Sequence, residues 1–149
     1  MKTIDVTAHS PATARELFAL VADGATWPTW SPISSFALER PGDTEREGIG
    51  AVRVFRTDQT TGRVTSRERI VELVPDRRLS YELLSGLPLR GYHADIDLTP
   101  DGTGTTIRWR STFRPKVPGT GWLYRMALAR FIQRCATGLA AAQVARRPE

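Results

Sequence analysis

Two residues of opposite charge stand inside otherwise apolar runs: Arg53 in GAVRVF and Glu68 in RERIVEL. Adjacent strands would set them side by side. If both point inward, each needs a partner, because an unpaired buried charge is costly. Together they would act as polar anchors in an apolar pocket. The alternative that the local parity leaves open is a cross-strand surface ion pair worth about 0–1 kcal/mol.

Three aromatic residues add to this set. Tyr81, Tyr92 and Trp109 fall on the apolar side of three successive strand-like runs. There they either line a pocket, with phenols that can bond a ligand carbonyl, or fill an ordinary core. Trp27 and Trp30 sit in WPTWSP, where Pro28 and Pro32 fix φ; Trp30 is the more pocket-like of the two. His93 shares a strand face with Asp95 and Asp97, a set suited to acid–base work, but its parity points to solvent. Cys135 falls on a dry helical stripe and reads as an inert buried thiol. GIGAVR opens a strand and lacks the third glycine of a dinucleotide loop, and GTGTT lacks a phosphate-loop lysine.

Composition narrows the function classes. The chain has 149 residues, 40% hydrophobic and 25% charged, the make-up of one ordinary globular domain over 1–149. One cysteine rules out an internal disulfide. With only two histidines, the usual nitrogen–sulfur zinc sets cannot be assembled. No carboxylate spacing argues for a metal. The net charge is +5, which could suit nucleic acid, acidic lipid or an anionic small molecule. The arginines are scattered, however, with acids interleaved as in RERIVE and RTDQT, so nucleic-acid binding is not expected. No 18-residue apolar run is present, so membrane insertion is not expected. MKTIDVTAHS lacks an apolar signal core, and a cytoplasmic location is expected, as a monomer or homodimer.

The elements that must position these residues follow from periodicity. Residues 2–9 alternate as a half-buried strand, with Ile4, Val6 and Ala8 on one side. Ser10 is the expected N-cap of a helix with Pro11 at its first position. That helix carries Leu17, Phe18 and Val21 inward and stops at Asp23-Gly24. Short helical or irregular turns follow over 25–35. Six further strands are expected at 34–39, 49–58, 63–74, 78–85, 91–99 and 105–114, joined by short turns and hence antiparallel. The run 63–74 changes parity between Glu68/Ile70 and Val71/Leu73, which a bulge would reconcile. Residues 120–146 read as one amphipathic helix about 40 Å long, with Leu128, Phe131, Ile132, Cys135, Leu139 and Ala142 on its dry stripe.

This order of elements, with SPATARELFALVADGATWPTWSP, EGIGAVRVF, RERIVELVPDRRLSYELLSGLPLRGYHADIDLTPDGTGTTIRWRSTFRP and the final helix, resembles the START-like (SRPBCC) superfamily, in its bacterial polyketide cyclase/dehydrase-type branch. The resemblance implies an α+β helix-grip fold: a curved seven-stranded antiparallel sheet around a long C-terminal helix, with two short helices after the first strand. It implies a cavity between sheet and helix for a hydrophobic or amphipathic small molecule, such as a lipid, polyketide or aromatic compound, and no cofactor. The candidate ligand-binding residues are then Trp30, Arg53, Glu68, Tyr81, Tyr92 and Trp109, with the WPTWSP segment closing one side and RPKVPGTGW (114–122) near the mouth. The second function it implies is a cyclase or dehydratase. There Glu68 would be the acid–base group, with Arg53 polarising a carbonyl or holding Glu68 ionised.

Overall fold

The computed structural model describes residues 1–59 and 62–142. Its seven strands are β1 (Lys2–Ser10), β2 (Ser35–Arg40), β3 (Val52–Gln59), β4 (Gly62–Val74), β5 (Arg78–Ser85), β6 (Leu89–Pro100) and β7 (Thr105–Pro115). They form one antiparallel sheet in the order β1-β7-β6-β5-β4-β3-β2. Two short helices, α1 (Ala14–Ala22) and α2 (Trp27–Trp30), separated by a 3-10 turn at Gly24–Thr26, follow β1. The long helix α3 (Gly121–Ala141) closes the order. This is the expected helix-grip architecture.

Strict alternation makes one sheet face dry. In β7, Ile107, Trp109, Ser111 and Phe113 are buried while Arg108, Arg110 and Arg114 are exposed. In β6, Tyr92, Ala94, Ile96 and Leu98 are buried. Against this face lie α1, through Leu17 and Val21, and α3, through Ile132, Cys135, Ala136 and Leu139. A helix with one apolar stripe and a sheet with one apolar face each bury the other's surface, at roughly 25 cal/mol per Å² removed from water.

Bulges set the parity where alternation breaks. Register slips between Ile70 and Glu72, leaving Val71 extra in β4, so Glu68, Ile70 and Leu73 can all face inward. A second slip leaves Leu84 extra in β5. In β6 the register shifts between Arg90 and His93, at Gly91, whose φ of +60° suits a residue without Cβ.

Two local expectations are corrected. Ser10 does not cap α1: it is the last residue of β1, paired with Thr105, and its Oγ accepts the Ala12 N–H at 3.1 Å. The cap is Thr13, whose Oγ1 accepts the Glu16 N–H at 3.1 Å while Glu16 Oε1 accepts the Thr13 N–H at 3.0 Å, a reciprocal capping box. That pair of bonds satisfies two orphan donors, more than Ser10-Pro11 can offer. The C-terminal helix also ends at Ala141, at about 31 Å; residues 143–146 of the expected span, and the expected turn residues Thr60 and Thr61, lie outside the described residues.

Candidate functional site

Between the sheet and α3 the packing is incomplete. A cavity of about 270 Å³ remains there. Its deep end is built from Trp27, Glu68, Tyr81, Tyr92, Trp109 and Cys135, one from each of six elements. Its outer end is walled by Thr57, Val64, Leu83 and Leu87 on the sheet side. Tyr124, Ala127, Leu128 and Phe131 face them from α3. The outer-end residues are half-buried or exposed, so this end is the mouth. A broader groove of about 660 Å³ runs outside, between α2 and the last turns of α3, with Trp30, Arg134 and Gly138 in its walls. It is shallow and open, whereas the smaller space combines enclosure, aromatic walls and convergent polar groups, as small-molecule sites do.

The expected residues divide around this cavity. Glu68, Tyr81, Tyr92 and Trp109 line it. Trp30 and Arg53 do not; both stand behind its wall. The WPTW turn explains the first. One helical turn points Trp27 at the cavity and Trp30 behind it, with ring centroids 4.6 Å apart. The Trp27 indole N–H donates to the Val21 carbonyl at 3.1 Å, and that of Trp30 to Thr26 Oγ1 at 3.1 Å. The backbone of Trp30 has its own task. A Cβ added at Gly138 would lie 1.8 Å from the Trp30 carbonyl oxygen, so α3 reaches α2 only because residue 138 has no side chain.

Arg53 is fully buried. Its Nη1 donates to the Val21 carbonyl at 2.9 Å and lies 3.7 Å from Glu47 Oε1. The guanidinium carbon sits 5.2 Å from the ring centroids of Trp27 and of Phe55. Glu47 also accepts the Gly24 N–H at 2.8 Å. Arg53 therefore fastens the end of α1 to β3, with Glu47 as its countercharge. Nothing in the sequence marked Glu47, which lies in the β2–β3 connection, among other scattered charges.

Glu68 is the cross-strand neighbour of Arg53 in the β3–β4 ladder. Its side chain is exposed only to the cavity, and Oε1 is covered with no hydrogen-bond partner. Burial pushes its carboxyl up from 4.5 to about 7, with the nearby Arg53 charge pulling the other way. The Trp109 indole N–H donates to the Tyr81 phenol at 3.3 Å. Burial raises the Tyr81 and Tyr92 phenols far above their usual value, and the Cys135 thiol likewise. Of these four buried groups, Glu68 is the one able to gain or lose a proton near neutral pH.

The remaining candidates take other places. His93 is outside, 3.0 Å from Asp95 Oδ1, on the wet face. The connector after β7 contributes no residue to the lining of this cavity but stands at its mouth, where the Lys116 N–H donates to the Pro88 carbonyl at 3.0 Å and braces the turn that carries Leu87. Among the described residues no cluster of three or more His, Cys, Asp or Glu could hold a metal, and no helix is long and apolar enough to cross a membrane.

Solved structures share this architecture. A START superfamily protein from Mycobacterium smegmatis superposes with a TM-score of 0.79 at 14% identity, covering 93% of this chain and 94% of that one. The protein XoxI from Bacillus cereus does so with a TM-score of 0.72 at 19% identity, covering 94% of each. The di-domain ARO/CYC StfQ of the steffimycin biosynthetic pathway matches with a TM-score of 0.76 at 16% identity; 93% of this chain covers 49% of that one. No curated protein matches the chain by sequence. At these identities the structures speak for the fold. The family is given by the sequence itself, which matches one pattern over residues 1–144: the chain belongs to the polyketide cyclase / dehydrase and lipid transport family.

Proposed function

We propose that the protein, as a single domain over 1–149, binds a compact hydrophobic or amphipathic molecule in the cavity between the sheet and α3. The observation that carries this reading is the enclosed space of about 270 Å³ whose largely apolar wall contains the Glu68 carboxyl, with a buried oxygen that no described residue satisfies. A core meant only for stability would close such a gap, since voids forfeit packing energy. The volume lies just under the roughly 300–1,000 Å³ of drug-sized sites, so a ligand of a few rings or a short chain fits better than a whole two-chain lipid. Tyr81, Tyr92 and Trp109 offer ring faces and two phenols. Trp30 and Arg53 support the wall from behind. A cytoplasmic setting and a monomer or homodimer fit this reading.

The test is native mass spectrometry of freshly purified protein, followed by denaturing extraction. A discrete extra mass that is released on denaturation is expected. A bare mass, with no thermal shift from a panel of lipids and ring compounds, would remove the binding reading.

A second reading, a cyclase or dehydratase, is favoured by one observation: a carboxyl with a pKa of about 7 inside an aromatic cavity is suited to proton transfer at neutral pH. The fold relative in the steffimycin pathway is described as an ARO/CYC. In this reading Glu68 moves the proton, and Arg53, held behind the wall, tunes Glu68 rather than touching a carbonyl. Glu68→Gln should then lower turnover of a polyketide-like substrate by about a hundredfold or more. Unchanged turnover would end this mechanism.

A further inference from the structure

The charge of the cavity runs opposite to that of the protein. The chain carries +5, which by itself suggests an anionic ligand. Yet among the described residues no Arg, Lys or His lines the cavity. Arg53 stands behind the wall, its Nη1 bonded to the Val21 carbonyl and beside Glu47, with Nε and Nη2 buried and without a partner. What the cavity presents is the Glu68 carboxyl: no described residue donates a hydrogen bond to it, and its Oε1 is covered by the protein. Leaving a buried acceptor unsatisfied costs about 1–3 kcal/mol, more when it is charged. The wall around it supplies ring surfaces from Trp27, Tyr81, Tyr92, Trp109 and Phe131, and the Trp109 N–H is already spent on Tyr81.

We propose that the cavity selects an uncharged ligand of one to three rings that donates an O–H or N–H hydrogen bond to the Glu68 carboxyl, and that it rejects ligands carrying a carboxylate. This rests on the binding reading above. A donor supplies the bond that the Glu68 carboxyl lacks, so its presence in the ligand discriminates strongly. A site built around a buried polar group penalises an analogue that leaves the group unpaired more than an apolar pocket penalises a missing methyl. A carboxylate would meet a carboxyl with no cation in contact and would have to shed its own hydration to enter. Free fatty acids are thereby disfavoured in spite of the basic surface.

The experiment is equilibrium dialysis at pH 7.5 with three two-ring probes of nearly equal size: 2-naphthol, 2-methylnaphthalene and 2-naphthoate. Expected is binding of 2-naphthol at least tenfold tighter than 2-methylnaphthalene, and no measurable binding of 2-naphthoate. Glu68→Leu, checked for folding by circular dichroism, should bind 2-naphthol and 2-methylnaphthalene alike; if that variant does not fold, Glu68→Gln replaces it, with the preference for 2-naphthol reduced. Binding of 2-methylnaphthalene or 2-naphthoate as tight as that of 2-naphthol would overturn the selectivity while leaving the cavity reading intact. Binding of none of the three would overturn both.

Discussion

Arg53 and Glu68 are direct cross-strand partners in the β3–β4 ladder, both directed inward, and they do not form an ion pair: Arg53 turns to Glu47 at 3.7 Å and to the Val21 carbonyl at 2.9 Å. The cation is close enough to pull the Glu68 carboxyl down but is outweighed by burial. A paired Glu68 would be permanently ionised and inert. An isolated one would be permanently protonated. The observed arrangement leaves it titrating near neutrality, faced by Arg53, Tyr81, Tyr92 and Cys135.

Glu68 should make stability fall with rising pH. Its carboxyl is raised from 4.5 in the unfolded chain to about 7 in the folded one. The folded state therefore holds the proton more tightly, and its contribution is fully present below pH 4.5 and lost as pH rises through about 7. The difference is on the order of 3 kcal/mol. Urea denaturation of ligand-free protein at pH 5 and pH 8 should show this loss, and Glu68→Gln should remove most of it. Equal pH slopes for the two proteins would contradict the assignment.

Arg53→Met should cost about 3 kcal/mol, the range for removing one partner of a buried charge pair. The variant loses the bond to Val21, the Glu47 contact and the stacking over Trp27 and Phe55. It should also move the pH midpoint of the Glu68 effect upward, because the charge that lowers that carboxyl is gone. An unchanged urea midpoint would show that Arg53 does not fasten α1 to the sheet.

Gly138→Ala tests the approach of α3 to α2. By intrinsic helix preference alone, alanine should stabilise by about 1 kcal/mol. The new Cβ would instead fall 1.8 Å from the Trp30 carbonyl oxygen and force the helices apart. A drop in Tm of several degrees is expected, with weaker ligand binding because Trp27 shares that turn. A rise in Tm would mean that the contact is looser than described.

Ala127→Trp tests the mouth. Ala127 is exposed at the rim, across from the Leu87 turn. A bulky ring there should slow association and dissociation of 2-naphthol in stopped-flow by about tenfold each, with Kd little changed. Unaltered rates would place the entrance elsewhere.

Much of the fold was legible because alternation is a local property. The wet and dry faces of β6 and β7 follow from residue types alone, and the parity break at Val71 announced its bulge, whereas in β5 the expected wet residue Ser80 is buried. The inward parity of Arg53 and Glu68 was ambiguous in the sequence because residues of like character occupy both faces of β3: Val52 and Val54 are buried as well as Phe55. The roles of Trp30 and Arg53 were not legible, since whether an inward side chain touches a cavity or backs its wall depends on the turn that delivers it. Thr13 displaced Ser10 as cap because Glu16 could reciprocate, a three-residue pattern that the sequence does carry. Glu47 and Gly138 were invisible for another reason: each acts on an element distant along the chain, through one contact that no periodicity encodes.

The pairing of β1 with β7 bears on how the protein is made. Strand β1, Lys2–Ser10, has no sheet neighbour until Thr105–Pro115 exists, and α3, which completes the cover of the dry face begun by α1, comes after both. On a ribosome β2 to β7 can pair in turn, but β1 must wait for β7, and the apolar side stays partly uncovered until α3 has emerged. Such long-range closure is slow and prone to wrong association. A small ring molecule present during synthesis would have a second use beyond any cargo or substrate role. By filling the space under α3 as that helix docks, it would draw the nascent chain into its native form.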